Sequence, residues 1–158
     1  MKYVVSALAF AAVLAAGAPP AGATDAQKVL TPQDVTWSPG PASLPKGAEF
    51  AVLFGDPAKD GPFAMRLKFP KGYQIPPHSH PKPEVVTVIS GTFSIGMGET
   101  ADPAKAQALP GGGFFAFPAG MTHFAAAEAD TVVQLNSTGP WGVNYVNPKD
   151  DPRQQKTQ

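Results

Sequence analysis

From Phe63 to Phe69, the residues Phe63, Met65, Leu67 and Phe69 fall on one parity and Arg66 and Lys68 on the other. A period of two marks a strand that buries one face and wets the other. Phe93, Ile95 and Met97 repeat the pattern after Gly91, and all seven apolar positions are expected in the core. Further runs rich in Val, Phe, Thr and Ile are EFAVLF (49–54), EVVTVIS (84–90), GFFAF (113–117), HFAAAE (123–128), TVVQLN (131–136) and WGVNYV (141–146). Short strands separated by closely spaced turn signals predict an all-β sandwich or barrel. The segment 100–110 has room for one helical turn at 103–108, but it lies between two strong strands and runs into Pro110-Gly111-Gly112-Gly113, so it reads as a hairpin excursion.

The first residues follow a different rule. Lys2 precedes the apolar run VVSALAFAAVLAA (4–16), which is too short to span a bilayer, and Ala21-Gly22-Ala23 ends in the small-residue pattern of a signal peptidase site. The expectation is a signal peptide over 1–23, cleaved after Ala23, and a periplasmic or secreted protein. Removing 23 of 158 residues leaves 135, enough for one domain with one core. Residues 24–47 read as an arm with Trp37 as its large apolar anchor, 48–148 as the barrel and 149–158 as a frayed polar tail.

With Lys2 gone, 11 basic residues face 12 acidic ones, and no basic stripe points to nucleic acid or, after cleavage, to a membrane surface. The chain has no cysteine, which excludes disulfides, thiol nucleophiles and thiolate metal sites. The 19 prolines and 16 glycines are those of a turn-rich fold.

The chemistry concentrates in PPHSHPKPE (76–84). His78, His80 and Glu84 share parity, yet on a straight strand His80 and Glu84 sit roughly 13 Å apart at about 3.3 Å per residue. Ligands of one ion lie about 2.0–2.2 Å from it. The chain must therefore turn between them, and Pro81 and Pro83 are where a strand ladder stops. His123, the third and last histidine, follows the turn FPAGMT and opens another strand. Three imidazoles and a carboxylate would make a mixed nitrogen and oxygen site for a divalent transition metal, the alternative on these residues alone being histidines that simply face solvent at turns.

The spacing around these residues is ordered: Gly72, five residues, His78, one, His80, three, Glu84, six, Gly91; then Gly112, five, Pro118, one, Gly120, two, His123. GYQIPPHSHPKPEVVTVISG and GGFFAFPAGMTHFAAA thus resemble the two motifs of the cupin superfamily, with Ala127 where that family usually has Asn. The resemblance covers about residues 48–148. It implies a double-stranded β-helix, or jelly-roll, in which His78, His80, Glu84 and His123 bind one Mn, Fe, Ni, Cu or Zn ion, Gly91 turns the chain after the Glu84 strand, and Pro118 and Gly120 shape the turn before His123. GDPAKDGPF (55–63) and GPWGVNYVNPKDDPR (139–153) also resemble the cupin domain of zinc-binding anti-sigma factors, without their sigma-binding helical domain.

Four protein ligands leave open positions on an octahedral ion, where a small oxygen-rich molecule can chelate. Phe93, Phe115 and Phe117 are expected to keep that space dry, and Ala125 and Ala127 to leave it room. Tyr73, Gln134, Asn136 and Tyr145 are the polar candidates for a second catalytic group, each equally suited to satisfying a backbone group or facing solvent. The expectation is a metal-dependent enzyme of oxygenase, isomerase or decarboxylase type, with a non-catalytic metal-binding sensor, ligand carrier or metal-stapled barrel as alternatives. A homodimer through an exposed sheet edge is expected as well.

Overall fold

A computed structural model describes residues 28–155. Eleven strands form two antiparallel sheets: β1 (Ser38–Pro39), β2 (Glu49–Phe54), β3 (Gly61–Phe69), β4 (Gln74–Ser79), β5 (Glu84–Ser90), β6 (Thr92–Met97), β7 (Gln107–Pro110), β8 (Phe114–Phe117), β9 (His123–Ala127), β10 (Thr131–Gly139) and β11 (Asn144–Tyr145). One sheet has the order β1-β2-β3-β10-β5-β8 and the other β11-β4-β9-β6-β7. The chain crosses from sheet to sheet at β3–β4, β4–β5, β5–β6, β7–β8, β8–β9, β9–β10 and β10–β11, and the two sheets close as a jelly-roll barrel.

The alternation in β3 holds throughout: Phe63, Met65, Leu67 and Phe69 are buried, with Arg66 and Lys68 partly exposed. Val133 and Leu135 of β10 and Val86 and Val88 of β5 complete that sheet's inner face. Phe93, Ile95, Ala125 and Ala127 face them from the other sheet. Phe69 stacks on Phe93 at 5.5 Å and on Tyr73 at 5.0 Å, so aromatic rings bridge the sheets.

Gly91 shows why one motif position must lack a side chain. The chain reverses there between β5 and β6 at φ +80°, and an added Cβ would lie 2.4 Å from the Asp130 carbonyl oxygen and 2.6 Å from Thr131 Oγ1. Thr131, fully buried, accepts the Thr92 N–H at 3.1 Å and donates to the Ala129 carbonyl at 2.8 Å, which fixes β10 against this turn.

Several expectations need correction. Met97 ends β6 and is 48% exposed, although its ladder partner His123 is buried. Trp37 is only partly buried and lies beneath Lys68 Nζ at 4.5 Å; the arm's buried anchor is Leu44. Of WGVNYV only Asn144–Tyr145 is strand, since the Trp141 N–H goes to the Pro57 carbonyl and the Gly142 carbonyl to His80, leaving no ladder for them. QIPPHS, not read as a strand, is β4. The segment 100–110 is the hairpin excursion expected, with a 3-10 turn at Pro103–Lys105 and a return strand, β7, on β6. Residues 149–155 do not fray: two 3-10 turns are tied by Arg153, which bonds Asp151 and the Val143 carbonyl, with Asp151 buried. The apolar run 4–16 and Ala23 lie outside the described residues. Among the described residues no helix is long and apolar enough to cross a membrane.

Candidate metal centre

His78 lies on β4 directly opposite His123, the first residue of β9. The ladder between these strands shifts register at Pro76 and Pro77, which have no N–H to donate. His80 sits one residue beyond β4. The chain bends at Pro81 and Lys82 and resumes at Glu84, the first residue of β5 in the other sheet. The turn inferred from Pro81 and Pro83 is therefore also the crossing between sheets. A second tie closes the site: the Gly120 N–H, from a turn at φ +79°, donates to the His80 carbonyl at 2.9 Å.

The three histidines come together. Their ligand atoms lie within 4.8 Å of one another, and all three are buried. Each imidazole is oriented by a backbone carbonyl, which can only accept: Nδ1 of His78 donates to Pro76 at 2.7 Å, that of His80 to Gly142 at 2.7 Å and that of His123 to Met121 at 3.0 Å. Neutral rings held this way turn an Nε2 lone pair inward, the arrangement that orients metal-ligating histidines.

Glu84 joins them. Its Oε1 lies 3.6 Å from His80 Nε2 and its Oε2 3.2 Å from His123 Nε2. His80 Nε2 and Glu84 Oε2 are nonetheless buried without any hydrogen-bond partner. Burial pushes His78 down to about 3, reinforced by its two histidine neighbours, and burial also lowers His80 against the opposing pull of Glu84. Neutral imidazoles present lone pairs to a carboxylate, acceptor against acceptor, and unpaired buried polar groups are costly. A cation between them removes that conflict, so these residues fit a metal ion.

Around the cluster lies a cavity of about 200 Å³, lined by His78, His80 and Glu84 together with Phe50, Met65, Leu67, Leu135 and Trp141. Trp141 stacks on His80 at 4.2 Å, and Phe117 packs against His123 at 5.1 Å. Pro41, Ser43 and Leu44 bring the arm over the cavity. The arm is clamped by two phenols: Tyr73 donates to the Pro45 carbonyl and Tyr145 to the Ser43 carbonyl at 2.7 Å. Burial pushes the Tyr145 phenol up to about 12 and Tyr73 higher still, so both stay protonated as donors. Gln134 accepts from Arg66 on the outer face, and Asn136 is exposed. Tyr145 pairs with His78 across β11 and β4, with its ring 6.0 Å from the imidazole, but its hydroxyl is engaged by the Ser43 carbonyl. A larger groove, about 650 Å³, lies on the far face of β4, β9 and β6 and contains none of the histidines. The smaller cavity is the one with the chemistry.

Trp141, the Gly142 carbonyl and the arm's Ser43 and Leu44 were not legible as site residues. Trp141 alone carried a signal, a large aromatic between Pro140 and Gly142 where a ladder strand is poorly supported. Ala127, in the position where Asn is usual, is buried in the apolar cluster, and its backbone bonds Tyr73 and Gly72.

A two-sheet jelly-roll carrying three inward histidines at the mouth of its barrel defines a cupin with a group able to hold a metal. Residues 25–141 match the ChrR cupin-like domain family, and the chain belongs to it. Germin-like protein subfamily 2 member 1 of Arabidopsis thaliana is 41% identical over 66 residues, 41% of this chain and 30% of that protein. Putative germin-like protein 9-2 of Oryza sativa subsp. japonica is 37% identical over 78 residues, 49% of this chain and 35% of that protein. The chain thus spans about a third of the length of these curated relatives. Among solved structures, the polyketide cyclase RemF from Streptomyces resistomycificus superposes with a TM-score of 0.63 at 17% identity, over 80% of this chain and 90% of that one. A putative acetylacetone dioxygenase from Methylibium petroleiphilum gives 0.60 at 19% identity, over 80% and 85%. An RmlC-like cupin from Shewanella frigidimarina gives 0.56 at 16%, over 71% and 90%. At these identities the likeness is one of fold.

Proposed function

We propose that the chain binds one divalent transition metal ion through Nε2 of His78, His80 and His123 and the carboxylate of Glu84, and that it is a metal-dependent enzyme acting on a small oxygen-bearing molecule. The observation that carries this reading is the pair of buried, partnerless atoms, His80 Nε2 and Glu84 Oε2, beside the cluster of three imidazoles. When bound, such an ion supplies Lewis-acid polarisation of a substrate oxygen or a place for dioxygen. The protein's own part is to orient the ligands, exclude water with Phe117 and Trp141, and confine the substrate beneath the arm. Among the described residues, no acid or base other than the proposed ligands lines the cavity. Proton-transfer isomerisation needs a group to move the proton, and decarboxylation needs one to protonate the carbanion left behind, so oxygenase chemistry suits this wall best. The same bare wall favours a non-catalytic ligand carrier or sensor as the second reading.

Metal analysis tests the assignment. The purified protein is expected to hold one ion per chain, His78→Ala almost none, and Glu84→Gln a reduced amount with the fold retained. Unchanged metal in both variants would falsify it. Oxygen uptake or carbon dioxide release that depends on restoring metal to the stripped protein separates enzyme from carrier.

The boundaries of the mature protein belong to the same proposal: cleavage after Ala23, the arm over 24–47, export to the periplasm or beyond. Intact mass of the exported chain checks it, and a start before Thr24 counts against it. A homodimer is supported by β8, an edge strand beside exposed Phe114 (58%) and Ile89 (45%). Light scattering that gives the monomer mass rejects it.

A further inference from the structure

The cavity wall and the charge of the proposed ligand set together define which molecules this site takes. The wall is apolar: Phe50, Met65, Leu67, Leu135, Trp141 and Val143 form most of it. Among the described residues no Lys or Arg lines it, and the only side-chain hydroxyl is that of Ser43. A divalent ion held by three neutral imidazoles and one carboxylate carries a net charge of about +1 by the ordinary charges of these groups. One monoanionic chelate brings the buried site to neutrality. A dianion leaves a negative charge in an apolar wall with no cation to pair it, which is strongly unfavourable. A sugar leaves most of its hydroxyls facing carbon, each a buried polar group without a partner. Size sets the remaining limit: a dry cavity of about 150 Å³ takes a benzene ring, so one of about 200 Å³ takes a single ring or a short branched chain with its two oxygens.

We propose that this cavity selects a monoanionic ligand with two adjacent oxygens on a compact apolar body, and that it discriminates against dicarboxylates and sugars. Enolates of dicarbonyl compounds, hydroxyketones and singly ionised catechols share this chemistry. The inference rests on the metal reading above, and adds to it that the wall, through its lack of positive charge, decides the substrate.

The test is calorimetric titration of the nickel-loaded full chain, an ion that needs no turnover for a binding signal. Maltol serves as the monoanionic chelator with an apolar ring, malonate as the dianion and glucose as the sugar. Maltol is expected to bind about tenfold or more tighter than malonate, a difference of about 1.4 kcal/mol, and glucose to give no measurable binding. Ser43→Lys places a cation at the wall without removing a side-chain hydrogen bond, since only the Ser43 carbonyl is used by Tyr145. It should raise malonate affinity relative to maltol by about tenfold. A chain that takes up no nickel overturns the metal reading and this inference with it. A chain that takes up one nickel and prefers malonate or glucose, or whose ratio ignores Ser43→Lys, overturns the inference alone.

Discussion

Glu84→Gln should make the metal-free protein more stable and the metal-loaded protein less so. In the wild type the buried carboxylate faces two imidazole Nε2 atoms at 3.6 and 3.2 Å, and those rings already donate through Nδ1. Glutamine is nearly isosteric, removes the charge and provides an N–H₂ group that can donate to one of those lone pairs. Relieving one buried unsatisfied polar group is worth about 1–3 kcal/mol. For a domain of this size each 1 kcal/mol moves the melting temperature by roughly 3–5 °C, so the gain is roughly 3–15 °C. Metal reverses the order. A ligand at 100 times its dissociation constant stabilises by about 2.7 kcal/mol, and the variant, having lost the anionic ligand, gains much less at the same concentration. Differential scanning calorimetry of both proteins, in chelator and then in nickel, reads both differences. A variant that melts lower than the wild type in chelator, or that gains as much from nickel, refutes the reasoning.

Two further predictions concern the barrel around the site. His78 has its folded pKa pushed down to about 3 from an ordinary value near 6.5, so between these values the unfolded chain binds the proton and the folded one does not. Stability of the metal-free protein is therefore full above about pH 6.5 and is lost as the pH falls toward 3, with about 3 kcal/mol gone at pH 4 on that group alone; urea midpoints that stay constant from pH 7 to 4 contradict this. Gly91→Ala forces a Cβ to within 2.4 Å of the Asp130 carbonyl at a positive φ, and should cost about 2 kcal/mol or more with the m-value unchanged; a midpoint equal to wild type would show the turn to be less constrained.

The strands that could be read from the chain are those that bury one face by alternation. β2 and β5 begin and end where the residue pattern puts them, and β3 differs only at its start, because Phe63, Met65, Leu67 and Phe69 leave no second way to sort inside from outside. β4 was hidden because Pro76 and Pro77 break local strand character. It exists through tertiary pairing, with β9 on one side and β11 on the other. The arm's role was hidden for a similar reason. PASLPKG has the composition of a turn, and Leu44 is drawn into the core by hydroxyl groups of Tyr73 and Tyr145, 28 and 102 residues from the carbonyls they hold. The histidines and Glu84, by contrast, were legible because the spacing of residue types around two turns carries the information.

Where those ligands come from has a consequence for how site and fold depend on each other. His78 and His123 belong to the five-stranded sheet, and Glu84 to the six-stranded one. An ion held by all of them joins the two sheets at the barrel's mouth, where Gly120 and His80 already tie the loops by one hydrogen bond. At the other end, aromatic stacking from Tyr73 through Phe69 to Phe93 and Phe115 joins the sheets without polar help. The fold is thus built to stand on its aromatic end while its histidine end stores unsatisfied lone pairs. Metal binding should accordingly rigidify the mouth more than the base: amide exchange at Ser79–Glu84 and Gly120–His123 is expected to slow on adding nickel, with Phe69 and Phe93 unchanged. Equal slowing throughout would mean that the ion stabilises the whole barrel as one unit, and that its two ends are not energetically distinct.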